Sequence, residues 1–255
     1  MMITAGVDLS SQPANTAACV VDWSDGRATV AGLVLDVDDG VISGLAGTVD
    51  KLGIDVPLGW PTACVNAVAQ HSHDGSWPAG YDHSDTTAYR YRRTDLWTWK
   101  SLRTSPPLSV STDRIALPAM RAAAVLSRLP DRGPLDGTGV LVEAYPAAAL
   151  RRWGFTWRGY KRGPKSEPRR SLVEQFLSEV TGWLAVGRAA VDLCFSSDDA
   201  FDSLIAAFVA RAAAVGLVEP VPEEYRPEAL REGWIALPCA GSLSLLPTGA
   251  PNCST

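Results

Sequence analysis

Ile54-Asp55-Val56-Pro57-Leu58-Gly59-Trp60-Pro61 decides the fold. An apolar lead-in, a lone carboxylate and then Pro57 and Pro61 cannot lie inside a helix, because proline lacks the amide donor and clashes with the preceding turn. The stretch therefore reads as a strand that ends at Asp55. A carboxylate at the end of a buried strand is costly unless a cation or hydrogen-bond donors meet it, so Asp55 is a candidate ligand. The competing role is a turn cap on the bend made by Pro57 and Gly59.

Working outward, the segment before Asp55 reads as two layers of organisation. Ile3 to Asp8 is a short apolar strand running into a carboxylate, and Ser10 to Thr16 is the turn after it. Ala17 to Trp23 and Ala28 to Asp36 continue as strands joined by the tight turn Ser24-Asp25-Gly26, giving an antiparallel meander. Val41 to Leu52 places Val41, Ile42, Leu45, Val49 and Leu52 at helical spacing, which returns the chain to a strand beside the first.

After Pro61 the pattern weakens. Ala63 to Gln70 reads as a short helix and His71 to Asp85 as a loop; Asp113 to Leu129 is helical and stops at Pro130. Gly139 to Pro146 repeats the grammar of the deciding stretch, with Glu143 in the place of the strand-end acid. A short helix over Ala147 to Trp153 and an amphipathic one over Arg170 to Gly187 follow. The last strong helix opens at Ser196-Ser197-Asp198-Asp199-Ala200-Phe201-Asp202, with Ser196 as N-cap and Asp199 in a capping-box-like position. Capping explains Asp198 and Asp199 but not Asp202, which lies beyond the first turn on the same face as Asp199.

Composition bounds what such a chain can be. At 255 residues and 46% hydrophobic content it suits one elaborated α/β domain. No apolar run is long enough to span a bilayer and the N-terminus has no basic-then-apolar leader, which predicts a cytoplasmic protein away from membranes. The 5 cysteines form no CxxC pair and read as idle thiols. A net charge of -5 argues against indiscriminate coating of nucleic acid. Two basic stretches interleaved with aromatics, around Arg92-Arg93 and around Tyr160-Lys161-Arg162, nonetheless suit phosphate contact and base stacking, where solvated surface charge is the plainer role. His71, His73 and His83 carry the spacing of a zinc or iron site, against the ordinary outcome of solvated loop histidines.

Carboxylates thus arrive from a first strand (Asp8), from later strand ends (Asp55, Glu143) and from a late helix (Asp199, Asp202). Acids gathered on one sheet edge repel unless a hard cation such as Mg²⁺ or Mn²⁺ neutralises them. Such a site would activate water for in-line displacement at phosphorus.

The motifs Gly6-Val7-Asp8, Ile54 to Gly59, Arg92-Arg93-Thr94-Asp95, Pro107-Leu108-Ser109-Val110, Glu143-Ala144-Tyr145-Pro146, Tyr160-Lys161, Asp198 to Asp202 and Glu232-Gly233-Trp234-Ile235 together resemble the family called domain of unknown function 429, described as predicted nucleases of ribonuclease H-like fold. The resemblance runs from about Met2 to Pro238. It implies an α/β, ribonuclease H-like three-layer fold: a mixed central sheet with antiparallel first strands and helices on both faces. It implies a single domain over 1–238 with an insertion at about 62–112, and the stretch 239–255 reads as a flexible tail. It further implies a divalent-metal-dependent nuclease acting on DNA or RNA, with Asp8, Asp55, Glu143, Asp199 and Asp202 catalytic. Of these Asp8, Glu143, Asp199 and Asp202 would hold Mg²⁺ or Mn²⁺, with Asp55 bordering them. Arg92, Arg93, Asp95, Tyr160, Lys161 and Arg162 would contact substrate. Two alternatives stand beside it. Gly6-Val7-Asp8-Leu9-Ser10 resembles the first phosphate loop of sugar-kinase and actin-like ATPases, although the second loop and the adenosine pocket are missing. A non-catalytic nucleic-acid-binding module is the other.

Overall fold

The apolar run that ends in Asp8 forms strand β1 (Met2–Asp8), and it is the middle of the sheet that positions everything else. The computed structural model describes residues 1–104, 106–161, 163 and 166–249. β2 (Ala17–Ser24) and β3 (Arg27–Val34) follow β1 as an antiparallel meander, turned at Asp25 and Gly26, both with positive φ. β4 (Lys51–Asp55) and β5 (Leu141–Glu143) add in parallel on the other side of β1, and β6 (Leu184–Ala185) pairs in parallel with β3. The result is an α/β protein with a 6-stranded mixed sheet in the order β5-β4-β1-β2-β3-β6.

Ten α-helices lie between and after these strands among the described residues: α1 (Asp39–Ala46), α2 (Thr62–Asp74), α3 (Thr87–Arg90), α4 (Arg93–Leu102), α5 (Ala116–Leu126), α6 (Pro146–Arg152), α7 (Glu167–Val180), α8 (Arg188–Ser196), α9 (Asp198–Ala214) and α10 (Arg226–Glu232). Apolar cores lie on both faces of the sheet. Ala5, Val7, Leu52 and Ile54 pack with Ile42 of α1 and Ala122 and Val125 of α5. Cys19, Val21 and Trp23 pack on the opposite face with Leu150 of α6, Phe176 of α7 and much of α9.

Side chains alternate across a strand, so Thr4, Gly6 and Asp8 share the face of β1 that α9 covers, and Gly53 and Asp55 share that face of β4. The glycines let the helix backbone sit directly on the sheet. A Cβ on Gly6 would lie 2.1 Å from Ser203 O and Ala207 N, and one on Gly53 would lie 2.3 Å from Ala206 O. Thr4 donates to Ala207 O at 3.0 Å across the same contact. Every residue of α9 from Ala200 to Ala212 is buried, so the helix is central rather than amphipathic.

Several expectations change. The helix before β4 stops at Ala46, because Val49 and Leu52 belong to the turn and strand rather than to a helical face. The expected helix over 170–187 instead spans Glu167–Val180, and the short α8, unseen in the sequence pattern, follows β6. Ser196 ends α8; it is Ser197 that caps α9, its hydroxyl accepting from Ala200 N at 3.1 Å. Within the 62–112 segment, Thr94, Asp95 and Thr98 of α4 are buried, and Ile235 N donates to Thr94 Oγ1. In the stretch read as a tail, Leu243 and Leu246 are buried in the α9 core. Cys19, Cys64 and Cys194 are free thiols, but Cys239 is disulfide-bonded rather than idle.

Candidate metal centre

Asp8 and Asp55 face one another in register at the carboxyl ends of the parallel strands β1 and β4. Two glycines upstream of them draw α9 onto the sheet, and one residue before the Gly6 contact at Ser203 the helix presents Asp202. Asp8, Asp55 and Asp202 each offer a carboxylate oxygen within 4.8 Å of the others, the one such group of potential metal ligands among the described residues. Asp202 is fully buried. Its Oδ1 accepts from the buried Tyr160 hydroxyl at 2.8 Å. Its Oδ2 lies 2.5 Å from Lys161 Nζ, an ion pair on a buried oxygen. The Lys161 side chain is 48% exposed, so its ammonium reaches down from the rim onto the acids.

The electrostatics follow from this crowding. Burial raises the Asp8 carboxyl well above the ordinary range; Lys161 opposes the rise, and the charges of Asp55, Asp202 and Asp199 add to it. Burial likewise pushes Asp55 up to about 7, again against Lys161. Asp202 is raised by burial despite Lys161 and the Tyr160 hydrogen bond. Burial disfavours the charge on Lys161, but Asp202 and its neighbours more than offset it and hold the ammonium well above the usual lysine value.

The donor set fits a hard divalent cation. It is all oxygen, and one lysine leaves the ionised cluster of three carboxylates with a net negative charge. Oxygens that share one ion at 2.0–2.6 Å lie at most about 4–5 Å apart, the spacing found here.

Of the sequence-predicted ligands, Asp8 and Asp202 converge and Asp55 moves from the border into the centre. Glu143 does not join them. Its Oε1 and Oε2 accept from Arg92 Nη2 and Nη1, both at 2.7 Å, and Leu58 N donates to Oε2 at 3.0 Å. Asp199 lies outside the group, half-buried in the first turn of α9, where it raises the Asp8 carboxyl without reaching it.

The substrate-contact expectations divide similarly. Arg92 is buried, with every N–H of its guanidinium spent on Asp95, Glu143 and the carbonyl of Glu232, so no donor is left for a phosphate. Burial works against its charge, and the Asp95 and Glu143 carboxylates outweigh it, holding the guanidinium above its already high value. Asp95 is the other half of that ion pair. Arg93 is exposed but opens onto a different cleft, shared with Tyr91 and Arg231. Tyr160 and Lys161 sit on Asp202, and Arg162 lies outside the described residues. The histidines form no metal group among the described residues.

Glu232 explains one further motif. Its carboxylate accepts from Thr62 N at 2.7 Å and from Arg93 N at 2.9 Å, the opening amides of α2 and α4. Gly233, at φ +81°, lies where a Cβ would approach Glu143 Oε2 to 3.1 Å. These residues build the wall of the site rather than its chemistry.

At the acids is a cleft of about 270 Å³, lined by Asp8, Asp55, Tyr145 and Lys161 together with Leu108, Arg114 and Ile115. Sequence reading missed Arg114, since a lone arginine ahead of a helix carries no signal. Residues 6–226 match the model of a family described as Protein of unknown function (DUF429). No curated protein and no solved structure matches the chain.

Proposed function

The chain belongs to the DUF429 family, and from that premise we propose that it is a divalent-metal-dependent phosphodiesterase of the nuclease type, built on a ribonuclease H-like sheet. The observation that carries the reading is the convergence of Asp8, Asp55 and Asp202 from two adjacent strand ends and a buried helix. The same strand-strand-helix order of acids characterises the ribonuclease H-like fold that the family resembles, and the sheet order with its antiparallel β1-β2-β3 is compatible with it.

In this reading Asp8, Asp55 and Asp202 would hold Mg²⁺ or Mn²⁺, which when bound would supply an activated water and offset charge on the phosphoryl oxygens. Tyr160 fixes the rotamer of Asp202 by hydrogen bonding Oδ1. Lys161 neutralises part of the carboxylate charge and stands where it can meet an anionic substrate. The Arg92–Glu143–Asp95 cluster holds the wall of the cleft rigid.

The test is hydrolysis. Wild type and Asp8→Asn are assayed with Mn²⁺ or Mg²⁺ on DNA, RNA and small phosphodiesters, with ATP consumption followed in parallel. Asp8→Asn keeps the size and hydrogen bonding of the side chain and removes its charge, so cleavage should fall by orders of magnitude while the fold persists. ATP turnover on a hydroxylated substrate would replace this reading with a phosphotransferase. No turnover on any substrate, with no response to metal, would leave a binding module.

A further inference from the structure

The size and charge of the cleft define what can reach the acids. At about 270 Å³ it lies at the lower end of small-molecule pockets, near 300 Å³, whereas a specific duplex interface covers about 1,000–2,500 Å² and needs a basic stripe. Among the described residues, three cationic side chains line it: Arg92, Arg114 and Lys161. Arg92 has no donor to spare and Lys161 is drawn onto Asp202. Arg114 is exposed and has no ion pair or hydrogen bond among the described residues. The turn that carries it is fixed from behind, with Ser109 N donating to Asp113 Oδ2 at 2.7 Å and Ser109 Oγ to Arg90 O at 2.6 Å. Beside Arg114 the wall is apolar: Leu108, 44% exposed, with Ile115 and Pro118.

An exposed, unpaired guanidinium on a hydrogen-bonded turn, in one cleft with apolar side chains and with carboxylates that repel anions, suits a ligand with a phosphate at one end and a flat ring at the other. We infer that the cleft takes a nucleotide-sized phosphoester, free or as the end of a single strand, with Arg114 anchoring a phosphate that the acids do not hold. This deepens the proposed hydrolase reading by naming its substrate class. A continuous duplex has no terminal unit to insert, and among the described residues it finds no cationic track along this cleft.

The experiment measures binding and cleavage separately in the full chain. Calorimetry with thymidine 5′-monophosphate, in Mn²⁺, compares wild type with Arg114→Ala, Arg114→Lys and the surface control Arg188→Ala. Loss of a charge-assisted contact should weaken binding by about tenfold in Arg114→Ala, and Arg114→Lys should recover part of it. Arg188→Ala should match wild type, and all variants should melt alike. Cleavage is then read on thymidine 5′-(p-nitrophenyl) phosphate, a linear single strand and closed circular duplex DNA; the first two should be hydrolysed and the circle spared. Unchanged nucleotide affinity in Arg114→Ala, or absence of nucleotide binding in wild type, overturns the inference. Cutting of the closed circle, lost in Asp8→Asn, also overturns it and leaves the hydrolase reading standing. Arg114-dependent nucleotide binding without any cleavage does the reverse.

Discussion

At the scale of single residues, the acids separate by what they find within reach. Glu143 meets a guanidinium; Asp55, beside it in the sheet, meets two other carboxylates and one shared ammonium. Removing one partner of a buried ion pair leaves uncompensated charge, so Arg92→Met should cost about 3–5 kcal/mol and be seen as a large fall in the urea midpoint. Adding Glu143→Gln should recover part of the loss; additive costs would contradict a coupled pair. The triad predicts a pH effect of definite sign. Asp55 rises from an ordinary 3.8 to about 7 on folding, which at about 1.4 kcal/mol per pKa unit corresponds to a few kcal/mol at most. The native state therefore holds protons that the unfolded chain releases near pH 4. That stability is fully present below about pH 4 and is lost as pH rises through 7, with Asp8 and Asp202 acting in the same direction. Asp74, Asp82 and Asp85, depressed by hydrogen bonds to Ser76, Ser84 and Thr87, act oppositely but only below about pH 4. In chelator the urea midpoint should fall from pH 5 to pH 8, less steeply in Asp8→Asn. A midpoint that rises over this range would contradict the burial of the acids. Asp8 and Asp202 were legible in the sequence as carboxylates that no cap accounts for, and Asp55 as a strand-end acid with a turn cap as its competing role. The fate of Glu143 was not, because its partner lies 51 positions away and is chosen by tertiary packing.

At the scale of elements, the contact of α9 with β1 and β4 makes the site. Gly6→Ala must push the helix backbone away from the strand, since the 2.1 Å approach is to main-chain atoms that cannot rotate aside. The expected cost is about 1–3 kcal/mol or more, with a weaker thermal response to Mn²⁺ as Asp202 is displaced. Gly32→Ala is the control, having nothing within 4 Å of the added Cβ. Equal effects of the two substitutions would show that close packing of α9 is not what matters. The meander β1-β2-β3 and the strand before Asp55 could be read from turn residues and apolar runs because those signals are local. The short strands β5 and β6 and helix α8 could not be bounded, since their limits depend on neighbours far away in sequence. Gly53 had no sequence signal at all; its need is evident only once α9 lies across it.

At the scale of the whole molecule, a chain of net charge -5 gathers three of its acids at one point of the fold, and the proposed cation would link its binding there to folding. A cation that binds the native state alone stabilises it by about 2.7 kcal/mol at 100 times its dissociation constant. In a domain of this size each kcal/mol is worth about 2–4 °C, so saturating Mn²⁺ should raise the melting temperature by about 5–10 °C and chelator should reverse it. The pattern of variants then decides which acids bind. Asp8→Asn, Asp55→Asn and Asp202→Asn should each remove most of the shift, and each metal-free variant should melt no lower than wild type, because a repelling charge has gone. Glu143→Gln should keep the shift on a less stable fold, its carboxylate being engaged by Arg92. Asp199→Asn should keep it as well, since its carboxylate lies outside the converging group. If Glu143→Gln abolishes the shift while Asp55→Asn retains it, the cation is held on the Glu143 side of the sheet edge. The Asp8–Asp55–Asp202 centre would then have to be abandoned, and with it the placing of substrate between those acids and Arg114.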